Sequence, residues 1–169
     1  MLPLPTDRLA IRPFTLTDAP FTLRLLNEPS FIANIADKGV RTIEQAEDYL
    51  QQGPLASYAA HGHGLWLVEH RGTGVPMGMC GLIRRESLPE VDLGYAFLPE
   101  FWGQGFAREA ARACLAFGRE ALGLHGMLAI VSPGNTPSIR LLETLAFLPV
   151  GRMELTPGDE VVMYRIDFA

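Results

Sequence analysis

The sequence predicts an α+β fold: a mixed, mostly antiparallel, twisted sheet of about seven strands flanked by helices. Three observations lead there. Residues 65–97 hold three strand-like runs divided by Gly, Pro and polar turns, as in an antiparallel meander. Residues 105–122 carry Phe106, Ala110, Ala113, Cys114, Phe117 and Ala121 at spacings that put all six on one helical stripe. The order β-α-α-α-β-β-β-α-β-α-β-β shows neither a linker nor an internal repeat, which places the 169 residues in a single domain over 1–169.

Taken in order, residues 6–14 alternate around Leu9 and Ile11 and stop at Pro13, which makes a short first strand. Leu16-Thr17-Asp18 supplies N-cap chemistry for a helix carrying Phe21, Leu23, Leu25 and Leu26, and Asn27-Glu28-Pro29-Ser30 breaks it. A second short helix holds Phe31, Ile32 and Ile35. A third starts at Thr42, with Glu44, Glu47 and Asp48 early, where the macrodipole favours acids. Strands follow at 65–69, 77–84 and 91–97, then the striped helix and a fifth strand at 127–131. A helix over 136–145 has Pro137 in its first turn, and strands at 147–153 and 161–168 close the chain.

A chain of this length buries roughly 70% of its unfolded surface, so it needs neither metal nor disulfide staples. Its net charge of −5 gives no broad attraction to nucleic acid or to an anionic membrane. Cys80 and Cys114 have no CxxC spacing and read as two buried thiols. His61, His63, His70 and His125 offer no HExxH pattern, so no metal is expected. The N-terminal stretch lacks a basic segment followed by an apolar one, and the expected location is the cytoplasm.

The chemistry concentrates in Val91-Asp92-Leu93-Gly94-Tyr95-Ala96-Phe97-Leu98-Pro99-Glu100-Phe101-Trp102-Gly103-Gln104-Gly105-Phe106-Ala107-Arg108, where a strand runs into a glycine turn that opens a helix. Gly103 and Gly105 permit the tight turn, and the free amides of the first helical turn make a pyrophosphate cradle. Arg108 is a cation in that first turn, which the dipole disfavours unless an anion lies nearby. A Rossmann fingerprint would need glycine at 108 and an acid ending the next strand, and a Walker loop would need Gly-Lys-Ser/Thr; neither is present. On strand four, Val91, Leu93, Tyr95 and Phe97 are bulky and Gly94 and Ala96 small, so Gly94 marks a bulge or a close approach. A strand that splays there leaves unpaired backbone groups for an amide-bearing ligand, of which the pantetheine arm of coenzyme A is one.

These pieces resemble the GCN5-related N-acetyltransferases (GNAT), in particular their RimJ/RimL-like branch. The resemblance rests on Thr6-Asp7-Arg8-Leu9-Ala10-Ile11-Arg12-Pro13, Asp92-Leu93-Gly94-Tyr95, residues 102–110, Asn135-Thr136-Pro137-Ser138 and Leu145-Ala146-Phe147, in the family's order. It implies a sheet splayed between strands 4 and 5 and acetyl-CoA as co-substrate. Gly103, Gln104, Gly105, Phe106, Ala107 and Arg108 would hold the pyrophosphate, the Ala96, Phe97 and Leu98 backbone would lie along pantetheine, and Asn135 and Ser138 would stand at the mouth. Asn135 also reads as a helix cap. Three positions depart from the family pattern: Glu100 starts the phosphate loop, Leu142 stands where many members carry a thiolate-protonating tyrosine, and Ala146 replaces a glycine, needing only an ordinary backbone angle.

Acetyl transfer needs a neutral amine, an oxyanion donor and a proton for the leaving thiolate. Asp92, two residues before the Gly94 bulge, is the expected general base, directly or through water, with Glu90 and Glu86 in reserve. Ser138 or a water it holds would serve the thiolate, and a main-chain N–H near Phe97 the oxyanion. Deprotonating a lysine at pH 7 costs roughly 4.6 kcal/mol against roughly 1 for an α-amine, which favours a peptide N-terminus or a small-molecule amine as acceptor. Asn34, Asp37, Arg41, Glu154, Asp159 and Glu160 are the expected acceptor rim, in a monomer or homodimer. The other reading is a non-catalytic acyl-CoA-binding or sensing module of the same fold, motivated by Leu142.

Overall fold

The computed structural model describes residues 2, 3 and 5–169; Met1 and Leu4, part of the stretch read for a leader, lie outside the described residues. The strands are β1 (Leu9–Arg12), β2 (Leu65–His70), β3 (Pro76–Ile83), β4 (Asp92–Phe97), β5 (Gly126–Val131), β6 (Leu148–Thr156) and β7 (Asp159–Asp167). They form one seven-stranded sheet in the order β1-β2-β3-β4-β5-β7-β6. Every pairing is antiparallel except β4 with β5.

Helices α1 (Ala19–Leu26), α2 (Pro29–Asn34), α3 (Ile43–Leu50) and α4 (Ala56–His61) precede the meander, α5 (Phe106–Glu120) joins β4 to β5, and α6 (Thr136–Thr144) follows β5. Side chains alternate along each strand, so one set of helices covers each face. Trp66 and Cys80 pack with Phe106, Phe117 and Leu142 under α5 and α6. Their strand neighbours Leu67 and Met79 pack with Leu25, Phe31 and Leu50 under α1–α3. The two thiols meet across the first of these cores, Cys114 Sγ standing 3.6 Å from Cys80 Sγ.

The sequence order places three helices before the meander, and the structure has a fourth: α3 passes through a π turn (Gln51–Leu55) that contains Gly53 and Pro54 and runs straight into α4. Proline lacks an N–H and crowds the carbonyl four residues back; the wider i→i+5 turn relieves both. Gly94 also differs from its reading as a bulge. The β3–β4 register is unbroken from Gly78↔Phe97 to Ile83↔Asp92. A Cβ there would sit 2.7 Å from Ile83 Cδ1, the tip of a side chain that can turn aside.

Ala146 corrects a second expectation, because its φ is +70°, in the left-handed region rather than at an ordinary angle. The cause is the stop of α6. Phe147 N–H donates to Leu142 O and Ala146 N–H to Glu143 O, both at 3.0 Å, which closes a Schellman motif that needs a left-handed residue at 146. The buried Phe147 ring holds the chain in that turn. Ala146→Gly is therefore expected to stabilise the fold by about 0.5–1 kcal/mol, net of glycine's greater unfolded-state freedom, read as a rise in the urea midpoint at constant m.

Candidate active site

The sheet opens where β4 and β5 part. They share one register pair, Asp92↔Leu128, with Leu128 N–H on Val91 O at 3.0 Å. On its other edge β4 is fully laddered to β3, and Leu98 N–H reaches Met77 O at 2.9 Å. Backbone groups alternate sides along an antiparallel strand. Even-numbered residues of β4 thus face β3, and Tyr95 and Phe97 turn their N–H and C=O groups into the opening. Of Ala96, Phe97 and Leu98, Phe97 turns its backbone into the opening, whereas Ala96 and the Leu98 N–H face β3 and Leu98 O accepts from Phe101 N–H. Tyr95 turns its backbone the same way. Phe97 O already accepts from Trp102 Nε1 at 2.9 Å.

Beyond Phe97 the chain makes a 3₁₀ turn (Pro99–Phe101) and the glycine loop. Gly103 and Gly105 have φ of +72° and +81°, the left-handed geometry expected of them. Glu109 is the first residue of α5 to donate back, to Gly105 O at 3.1 Å, so the amides of Phe106, Ala107 and Arg108 have no intrahelical acceptor. Arg108 is exposed at this end. Glu100 is engaged elsewhere, in an ion pair with Arg24 of α1.

A clasp from the residues just before β1 fixes the loop. Arg8 Nη1 donates to Gln104 O at 2.9 Å, its Nε to Glu109 Oε2 at 2.7 Å, and its guanidinium lies 4.4 Å from the centre of the Phe106 ring. Arg8 N–H and Thr6 Oγ1 also donate to Glu109. Burial alone would raise the Glu109 carboxyl; these bonds outweigh it and hold the group below the usual carboxylate range. Nothing local in the sequence ties Arg8 to Gln104 and Glu109, about a hundred positions away.

Asp92 stands at the vertex of the opening, 0% exposed. Arg85, from the β3–β4 connection, brings its Nε 3.1 and 3.2 Å from the two carboxylate oxygens. Burial raises the Asp92 carboxyl above its ordinary pKa, and the Arg85 charge opposes that without cancelling it. The reserve acid Glu90 is bound by Arg165 Nε and Nη2 at 3.1 and 3.2 Å. On the far side of the opening, Asn135 is the N-cap of α6, its side chain accepting from Ser138 N–H at 3.4 Å. Ser138 Oγ lies 2.6 Å from Tyr95 Oη. Leu142, one turn on, is 1% exposed and belongs to the core.

The expected acceptor rim is partly self-satisfied. Arg41 Nη2 donates to Asp37 at 2.7 Å, Arg152 Nη1 to Glu160 at 3.0 Å, and Asn34 O receives Ser132 Oγ at 2.7 Å. The last bond lashes α2 to the end of β5. His63, one of the histidines weighed as a ligand, has its Nδ1 2.8 Å from Leu82 O inside the fold.

This sheet, split between two parallel strands and followed by a glycine-opened helix, defines an acyltransferase fold, and the sequence agrees. Residues 8–148 match the family described as Acetyltransferase (GNAT) domain, and the chain belongs to that family. It is 32% identical over 145 residues to the protein YkkB of Bacillus subtilis, covering 84% of this chain and 83% of that one. Among solved structures, the acetyltransferase from Agrobacterium tumefaciens superposes with a TM-score of 0.80 at 26% identity, covering 98% and 94% of the two chains. RimL, the ribosomal L7/L12 α-N-protein acetyltransferase in complex with coenzyme A, shares the fold with a TM-score of 0.83 at 16% identity, covering 99% and 98%. No helix among the described residues is long and apolar enough to cross a membrane.

Proposed function

We propose that this acetyltransferase moves the acetyl group of acetyl-CoA to a primary amine, a protein α-amine or a small-molecule amine, by direct attack in a ternary complex. The observation that carries the reading is the β4 edge at Tyr95 and Phe97, which β5 does not cover, followed past the 3₁₀ turn and the glycine loop by the free amides that open α5. An extended amide chain bonded to that edge ends with its diphosphate at the helix N-terminus. The occurrence of the same fold in RimL with coenzyme A bound supports the same cofactor here.

In this arrangement the thioester lies near the vertex, where Tyr95 N–H or Phe97 N–H stabilises the oxyanion. Asp92, enclosed and held by Arg85, accepts the amine proton through a water. Ser138 Oγ faces the departing sulfur. RimL is named for acting on a protein α-amine, and an α-amine is the acceptor that demands least of a buried, raised-pKa carboxyl.

Calorimetry with CoA, followed by thiol release from acetyl-CoA across tri-alanine, glycine and spermidine, tests the assignment. Binding in the micromolar range and release with at least one amine are expected, and Ser138→Ala should lower kcat about tenfold. CoA binding without release for any amine would replace this reading with the acyl-CoA sensor, and no binding would overturn both.

A further inference from the structure

We propose that Tyr95 is a positioning residue for the transfer: its phenol donates to Ser138 Oγ and leaves the serine's own proton aimed at the thioester sulfur. The proposal rests on acetyl transfer with Ser138 at the leaving group.

The structural basis is a hydrogen bond across the opening. Tyr95 is on β4 and Ser138 in the first turn of α6, on the β5 side, and their oxygens are 2.6 Å apart. The phenol oxygen also lies 3.4 Å from the Ser138 carbonyl, so the ring is seated over this one residue. Ser138 is itself fixed through its N–H on the Asn135 cap. Tyr95 packs against the core under α5 and α6, which limits its ring to this side of the sheet.

The direction of the bond follows from the two groups. Each hydroxyl has one proton, and a phenol is a far stronger donor than an alcohol. Burial pushes the Tyr95 phenol up to about 12, so it stays protonated through the working pH range and acts as a donor rather than a base. With Tyr95 donating, one lone pair of Ser138 Oγ is occupied and its O–H must turn elsewhere, and the opening is the open direction. A hydroxyl that accepts one bond donates a stronger one.

This accounts for Leu142. Its apolar side chain lies in the core and brings no acidic hydrogen to the sulfur from α6. The phenol instead enters from β4, one hydroxyl removed. In the step, the amine nitrogen bonds to the carbonyl carbon, the C–S bond breaks and the electron pair stays on sulfur. The Ser138 O–H hydrogen-bonds to that charge without giving up its proton, since an alcohol is a weaker acid than a thiol. The proton lost by the amine passes through the Asp92 water to solvent, which returns one to the thiolate. Neither Tyr95 nor Ser138 changes protonation state overall.

A double-mutant cycle tests this, using acetyl-CoA with an amine that the wild type acetylates. Tyr95→Phe removes only the hydroxyl and keeps the ring. It should lower kcat about five- to tenfold, the worth of one hydrogen bond, with the KM for acetyl-CoA and the Kd for CoA within twofold of wild type. In a Ser138→Ala background the same change should cost less than twofold. An equal cost in both backgrounds, no cost in either, or a loss expressed in KM or Kd instead of kcat would overturn the proposal while leaving acetyl transfer intact. A wild type that binds CoA and acetylates no amine fails at the earlier reading, and the positioning role falls with it.

Discussion

Asp92→Asn is expected to lower kcat about 100-fold, at the lower end of what a positioned general base contributes. The amide matches the carboxylate in shape and still offers Arg85 Nε an oxygen, so the β4 vertex keeps its geometry while the proton acceptor is lost. The pH dependence gives a second readout with a definite sign. Burial raises the Asp92 carboxyl, so the base is lost as pH falls through a value above the ordinary aspartate range near 4. The wild type should show an acid limb in kcat there, and Asp92→Asn should flatten it. For stability the sign is opposite: the native state holds this proton more tightly than the unfolded chain does, so the cost of burying the carboxylate is relieved as pH falls through the raised pKa. A loss of less than threefold at pH 7.5, with the limb unmoved, would assign Asp92 to the Arg85 ion pair and to nothing further.

Gly105→Val is expected to weaken CoA binding at least 30-fold. Gly105 is the N-cap of α5 at a φ of +81°, where a β-branched residue costs on the order of 1–3 kcal/mol. A Cβ there would also approach Arg8 Nη2 to 3.3 Å, against the guanidinium that pins Gln104 O. The chain relieves both by turning away, which takes the first α5 amides off the diphosphate. Each charge-assisted bond lost is worth about 1.5–3 kcal/mol. Calorimetry with CoA reads the affinity, and circular dichroism confirms that the helices remain. An affinity within threefold of wild type would place the diphosphate elsewhere.

The legible part of the site was the part made by neighbours in sequence. Gly103-Gln104-Gly105 before a striped helix encodes its own turn, because left-handed φ values and a free helix start are local events. Asp92 and Ser138 were named through the resemblance, and they stand at the vertex and on the far side of the opening. Their partners were not identified. Arg85 reaches Asp92 from the β3–β4 connection, Tyr95 read as one bulky strand residue among four, and Arg8 lies about a hundred residues from Gln104 and Glu109. Ala146 was misread because packing overrides a local rule: it holds a left-handed angle because Phe147 must enter the core.

By itself the sequence determined the α+β class, the seven strands and the glycine-opened helix, since periodicity and turn chemistry act over a few residues. Only the tertiary structure decided which backbone groups face the opening and which side chains meet across it. The register of β4 against β3 sends Tyr95 and Phe97, not Ala96 and Leu98, toward β5, and the sheet order brings β1 to the start of α5 and α6 to the side of β4. Such pairings depend on distances between segments far apart in the chain, which no local pattern encodes.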